Sequence, residues 1–174
     1  TELIRKFNGQ IKCTFLNDTS LSPNPDSEGF YAVRVVGTYT FVLAADKAHY
    51  NAGETFTVTV SAYGSAASSI NSFGFTPGFD SSQLTLKNVT SVNPGLFTVN
   101  PQTGKTGYTV SGSGLSIGTT ATPLVKITFT AKAGINASAA ITLADLEMTK
   151  SGTESGDTVS AEGTTVNLHD LRVT

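Results

Sequence analysis

Strict alternation of apolar and polar residues in two separated segments sets the first constraint on this chain. Gly53-Glu54-Thr55-Phe56-Thr57-Val58-Thr59-Val60 and Leu124-Val125-Lys126-Ile127-Thr128-Phe129-Thr130 place an apolar side chain at every second position, from Phe56 and from Val125. A period of two puts all those side chains on one face of an extended strand, with Thr and Lys on the other. A third segment, from Phe73 to Leu86, carries Phe73 and Phe75 at the same spacing. It is read as turning through Pro77-Gly78 and the Phe79-Asp80-Ser81-Ser82 step before a second alternating run. Strands with one apolar face each need another such face to cover them, which predicts a sandwich.

The chain has 174 residues, enough for one domain with a sizeable core, alone or with an arm. Only 14% of the residues are charged, which excludes a long solvated helix or an acidic disordered tail. Thr and Ser dominate the polar set, while the strong helix formers are scarce, so the expected class is all-β. The net charge of −2 and the absence of a basic cluster beyond Arg5-Lys6 argue against nucleic acid as a partner. Residues 41–45 form a short apolar run closed by Asp46 and Lys47, far below the ~18 residues of a membrane span. Cys13 is the only cysteine, so no internal disulfide forms, and it reads as a small buried hydrophobe. No secretory signal is read at the start. Thr1 is also what removal of an initiator Met would leave, as suits a protein kept inside the cell until assembly, such as a virion component.

Residues 11–16 read as a strand followed by a stretch rich in Asn, Ser, Pro and Asp that ends at Gly29. This places an N-terminal β arm and loop at residues 1–29 and the sandwich domain at residues 30–174. Further strands are predicted over residues 30–36, 38–43, 70–76, 84–89, 96–99, 108–110, 115–117, 125–131, 140–144 and 164–168, with turn signals between them. Residues 44–50 and 145–150 are the only stretches that tempt a helical reading, of a turn or two. The Ala-rich residues 133–140 are read as a loop running into a strand.

The order of the short motifs from about Thr40 to Leu168 resembles the cohesin domain. The resemblance rests on Gly53-Glu54-Thr55-Phe56-Thr57-Val58, on the aromatic-Asp turn Phe79-Asp80-Ser81-Ser82-Gln83-Leu84, on Asn93-Pro94-Gly95-Leu96, and on the late strand from Leu124 to Ala131. It implies a jelly-roll β-sandwich of about nine strands that binds protein without catalysis. It also implies a partner of the dockerin type, a small calcium-loaded module docked on one sheet face. Around Phe73 and Phe75 the residues alternating outward are Ser72, Gly74 and Thr76, which makes them the candidate binding residues.

Catalytic and metal-binding patterns are weaker. Gly114-Leu115-Ser116-Ile117-Gly118 matches a nucleophile elbow, and Asp145, Asp157 and His169 follow in triad order. The elbow needs a helix after the serine, and Thr119-Thr120-Ala121-Thr122-Pro123 cannot start one, so a plain turn is expected. His49 and His169, the only histidines, are read as surface or cap residues without metal. Asp26-Ser27-Glu28 and Glu154-Ser155-Gly156-Asp157 lack the alternation of a calcium loop. Asp145 and Glu147 would share a strand face, with nothing in the sequence to supply a sugar cleft around them. Tyr31 and Tyr39 are the candidate sugar platforms, with a core position the plainer reading. Asn17, Asn88 and Asn136 head glycosylation sequons.

The expected function is therefore a non-enzymatic protein-binding or scaffold module of an extracellular or cell-surface assembly, with no cofactor. One alternative is a structural subunit of a virion or filament, linked to neighbouring copies through residues 1–29. A carbohydrate-binding module is the other.

Overall fold

A computed structural model describes residues 37–150 and 157–170. By Cα proximity the chain divides after Val35, and the described residues all belong to the second unit, Val36–Thr174. The expectations for residues 1–36, among them the arm, its strand and Cys13, lie outside the described residues. So do Tyr31, the loop around Asp26 and the sequon at Asn17.

Among the described residues there are thirteen strands and no helix. They are β1 (Thr38–Ala45), β2 (His49–Asn51), β3 (Thr55–Gly64), β4 (Ser68–Ser69), β5 (Ser72–Phe79), β6 (Leu84–Ser91) and β7 (Thr98–Pro101). After these come β8 (Tyr108–Ser111), β9 (Ser116–Ile117), β10 (Thr122–Ala131), β11 (Ala137–Thr149), β12 (Thr158–Glu162) and β13 (Thr164–His169). One sheet has the order β12-β1-β3-β10-β6, the other β2-β13-β11-β5-β8-β7, and β4 pairs with β9 apart from both. The architecture is an all-β sandwich. No helix among the described residues is long and apolar enough to cross a membrane.

The alternating segments form the middle of the first sheet, where β10 lies antiparallel to β3 with Ile127 opposite Val58 and Phe129 opposite Phe56. Phe56, Val58, Val60, Ile127 and Phe129 are all buried, and the intervening threonines face outward. A register shift between Pro123 and Val125 lets Leu124 and Val125 both enter the core although they are adjacent. Aromatic contacts stitch the two sheets together. Phe41 meets Phe73 at 4.9 Å between ring centroids, Tyr50 stacks on Phe56 at 4.1 Å, and Phe79 meets Phe129 edge-on at 5.1 Å. Each such pair adds about 1 kcal/mol beyond the area it buries.

Three sequence expectations are corrected. Pro77-Gly78 is not a turn: β5 runs on to Phe79, with Pro77 opposite Leu143 and Gly78 opposite Thr142. Beyond Phe75 that strand has lost β8 and pairs only with β11, the one-sided position where proline is tolerated. The turn comes at Asp80, whose carboxylate accepts the Ser82 N–H at 2.8 Å while its carbonyl accepts from Gln83 and Leu84. Bonds from the Ser82 hydroxyl and amide, with Lys132 nearby, hold the Asp80 carboxyl below its usual range. The two stretches that tempted a helical reading are also extended. Residues 44–50 end β1 and enter β2, and residues 145–149 complete β11.

The Gly53-Glu54 step fixes the entry to β3. Gly53 has φ +78°, a left-handed conformation that a Cβ would strain, and its N–H donates to the Ala131 carbonyl at 2.9 Å. Glu54 then accepts from the Asn51 N–H at 2.9 Å and pairs with Lys47 at 2.5 Å. Those two bonds hold its carboxyl below the ordinary value.

Candidate binding face

The outer face of the second sheet collects the predicted site residues. Phe73 and Phe75 point into the core at 1% and 0% exposure, so Ser72, Gly74 and Thr76 face the other way and are half-buried. β11 lies alongside with Thr149 opposite Ser72, Glu147 opposite Gly74 and Ala144 opposite Thr76. On the other side β8 sets Ser111 opposite Ser72 and Thr109 opposite Gly74. β5 thus contributes only small, uncharged side chains to this face, with the Glu147 carboxylate carried by β11 across from Gly74.

At one end of it the chain builds a cleft of about 620 Å³, lined by Thr76, Gln102, Gly104, Lys105, Thr106, Asp145 and Glu147. Two local devices make it. The register of β11 against β5 slips between Ala144 and Glu147, and Asp145 adopts φ +50° at that bulge. The turn joining β7 to β8 forms the facing wall, closed by Gln102 N–H to the Gly107 carbonyl at 2.9 Å. Gln102 also donates from Nε2 to Thr109 Oγ1 at 3.3 Å, which draws the turn over Gly74. A Cβ at position 74 would lie 3.0 Å from Gln102 Nε2, a tight contact that the amide must shift to relieve. Asp145 and Glu147 do share a cleft, which sequence reasoning did not foresee, because the wall comes from a turn some forty residues earlier.

The catalytic pattern is not assembled. Ser116 sits on the two-residue strand β9 opposite Ser69, with no helix behind it. A shallow pocket beside it is lined by Ala67, Ser68, Ser69, Ile117 and Gly118, none of them a base. Asp157 is engaged by Lys150 Nζ at 2.6 Å, and His169 by His49. Among the described residues no group of three or more His, Cys, Asp or Glu could hold a metal ion. Tyr39 is 1% exposed and belongs to the core, which removes it as a sugar platform. Asn88 and Asn136 are exposed.

Two constellations escaped the sequence reading. His49 Nδ1 and His169 Nε2 lie 3.1 Å apart, brought together by the parallel pairing of β2 with β13. Lys150 lies over the Tyr39 ring at 5.4 Å, donates to its hydroxyl at 3.2 Å and pairs with Asp157. The Lys150–Asp157 hydrogen bond, which outweighs the burial penalty, and then the Tyr39 bond raise the Lys150 pKa above its ordinary value.

Comparison with known proteins agrees with this architecture. A cohesin module from a family 33 glycoside hydrolase of Clostridium perfringens superposes with a TM-score of 0.62 at 17% identity, covering 79% of this chain and 99% of that one. The third ScaB cohesin of R. flavefaciens, solved in complex with a group 1 dockerin, gives 0.59 at 18% identity, covering 76% and 95%. A non-cellulosomal cohesin from the hyperthermophilic archaeon Archaeoglobus fulgidus gives 0.57 at 17%, covering 76% and 92%. Identities this low speak for the fold alone. Comparison with curated protein sequences gives no match. The model of the cohesin domain family matches residues 40–167, the whole span from β1 to β13 apart from its outermost residues, and on that match the chain belongs to the cohesin domain family.

Proposed function

We propose that the domain is a non-catalytic module that recruits a dockerin-type protein to an extracellular or cell-surface assembly. The observation that carries this reading is the outer face of the β11-β5-β8 sheet. It presents the small residues Ser72, Gly74 and Thr76 of β5 beside a cleft holding two carboxylates against one lysine. Small side chains of this kind suit docking by backbone and hydroxyl contacts. The acidic end then favours a partner that brings a basic side chain to Asp145 and Glu147. Family membership supports a protein partner, and relatives have been solved as cohesin–dockerin complexes.

The test is a binding screen of the full chain against immobilised dockerin modules of diverse sequence in calcium. Thr76→Arg serves as the face variant, and Lys126→Glu, exposed on the other sheet, as the control. Capture that is lost in Thr76→Arg and kept in Lys126→Glu supports the reading. Silence across the panel, or capture indifferent to Thr76→Arg, overturns it.

A further inference from the structure

We infer that His49 and His169 form a two-histidine site for a divalent transition-metal ion, one that clasps strand β2 to strand β13. The two residues lie 120 positions apart in sequence and meet because β2 and β13 run parallel, with His49 opposite Asn167 and His169 opposite Asn51. Both histidines are exposed, on the same outward face as those two asparagines. The facing nitrogens are 3.1 Å apart. A tetrahedral ion with metal–nitrogen bonds of ~2.0–2.1 Å holds two imidazole nitrogens about 3.3 Å apart, so the spacing already matches within a few tenths of an ångström.

The rings now meet nearly end-on, with centroids 5.3 Å apart, which lets a proton on one nitrogen serve the lone pair of the other. Neutral imidazole carries one hydrogen for two nitrogens, so this shared proton and a metal ion are alternative occupants of the same gap. Turning both rings outward about their side-chain bonds makes the lone pairs converge on a third point. Both side chains are exposed, which leaves room for that turn.

The backbone beneath is already fixed. The Asn167 N–H donates to the Ala48 carbonyl at 2.9 Å, and the Ala52 N–H to the His169 carbonyl at 2.9 Å. Ordering the two strands is therefore not charged to metal binding. Asn167, which accepts from the Ser138 hydroxyl at 2.7 Å, stiffens the position opposite His49. Water completes the coordination shell. Imidazole pairs select copper, nickel and zinc over the oxygen-seeking calcium and magnesium.

Equilibrium titration of the untagged full chain with Zn²⁺, Ni²⁺ and Cu²⁺, with Ca²⁺ as the control, tests the site. A Cys13→Ser background removes the one thiol that could compete. The expected result is one transition ion per chain, tightest for Cu²⁺, with no response to Ca²⁺ and a rise in melting temperature on Zn²⁺ addition. His49→Ala and His169→Ala should each weaken binding by at least about tenfold, because either one leaves a lone imidazole that cannot chelate. Single variants that bind as well as the parent overturn the site, as does a parent that takes up no ion at about 1 mM. Both histidines are exposed, so the variants fold, and circular dichroism verifies it.

Discussion

Replacing the largely enclosed Lys150–Asp157 ion pair one partner at a time should cost far more than replacing both. Lys150 and Asp157 keep only 12% and 7% of their side-chain surface and bracket residues 151–156. Asp157 Oδ1 accepts the Gly37 N–H at 2.7 Å, and its other oxygen faces Lys150 Nζ at 2.6 Å. Lys150 in turn donates to the Tyr39 hydroxyl, which shares a 2.7 Å bond with Ser68. Asp157→Asn keeps an acceptor for Gly37 but leaves the ammonium facing an amide, and should cost about 2–3 kcal/mol. Lys150→Met keeps the stem over the Tyr39 ring but removes the cation facing the Asp157 carboxylate, and should cost about 3 kcal/mol. The double variant removes both charges and should cost no more than about 2 kcal/mol, a coupling of about 3 kcal/mol between the two sites. Urea denaturation followed by far-ultraviolet circular dichroism reads these values. Thermal melts should show the single variants about 10 °C below the parent. Costs that add to within about 0.5 kcal/mol would refute the reasoning, since the two groups would then act independently.

The remaining predictions concern alkaline pH, the core and the binding face. Burial, followed by the bond to Asp46, pushes the Tyr50 pKa up to about 12. The folded state therefore holds that proton more tightly than the unfolded chain. The stabilisation is complete below about pH 10 and is lost as pH rises towards about 12. Phenolate absorbance should report the late titration, and Tyr50→Phe should remove it and flatten the alkaline loss of stability. Lys150 acts in the same sense. Its raised pKa gives stability that is full below the ordinary lysine value and lost above the folded one, so Lys150→Met should reduce the fall measured above pH 10. Phe129→Ala opens a hole beside Phe56 and Phe79 and should cost about 3–5 kcal/mol in denaturant melts. Glu147→Lys reverses the charge of the cleft wall. It should weaken capture of a dockerin-type partner by about tenfold or more, with little change in melting temperature.

Long strands were legible because a period of two over seven or more residues, as in β3 and β10, has no competing explanation. Pairs and triplets such as β2 and β4 carry no period, so pairing alone defines them. Pro77-Gly78 misled because that dipeptide favours turns locally, whereas β11 holds it extended. Residues 145–149 misled in a different way, since the bulge at Asp145 breaks the alternation that would have revealed a strand. The outward setting of Ser72, Gly74 and Thr76 followed directly from the burial of Phe73 and Phe75. The cleft beside them did not, because it depends on where the turn after β7 is drawn by Gln102. The histidine pair was out of reach for the same reason. Parallel pairing of segments 120 residues apart leaves no trace in local pattern.

The parallel pairing of β1 with β12 also decides how the domain carries load. Thr38 lies opposite Thr158 and Val42 opposite Glu162, so the two strands run in the same direction over five paired positions. Tension that enters β1 at Thr38 and leaves β12 at Glu162, once β13 has come away from β11 and β2, pulls the two strands past each other. The ladder is then strained lengthwise, and its hydrogen bonds must yield together, whereas a hairpin pulled from its open end loses them one after another. Resistance to extension is then set by the rate of crossing that single barrier rather than by equilibrium stability. Resistance to shear between β1 and β12 thus belongs to the edge of the first sheet, away from the face proposed for the partner.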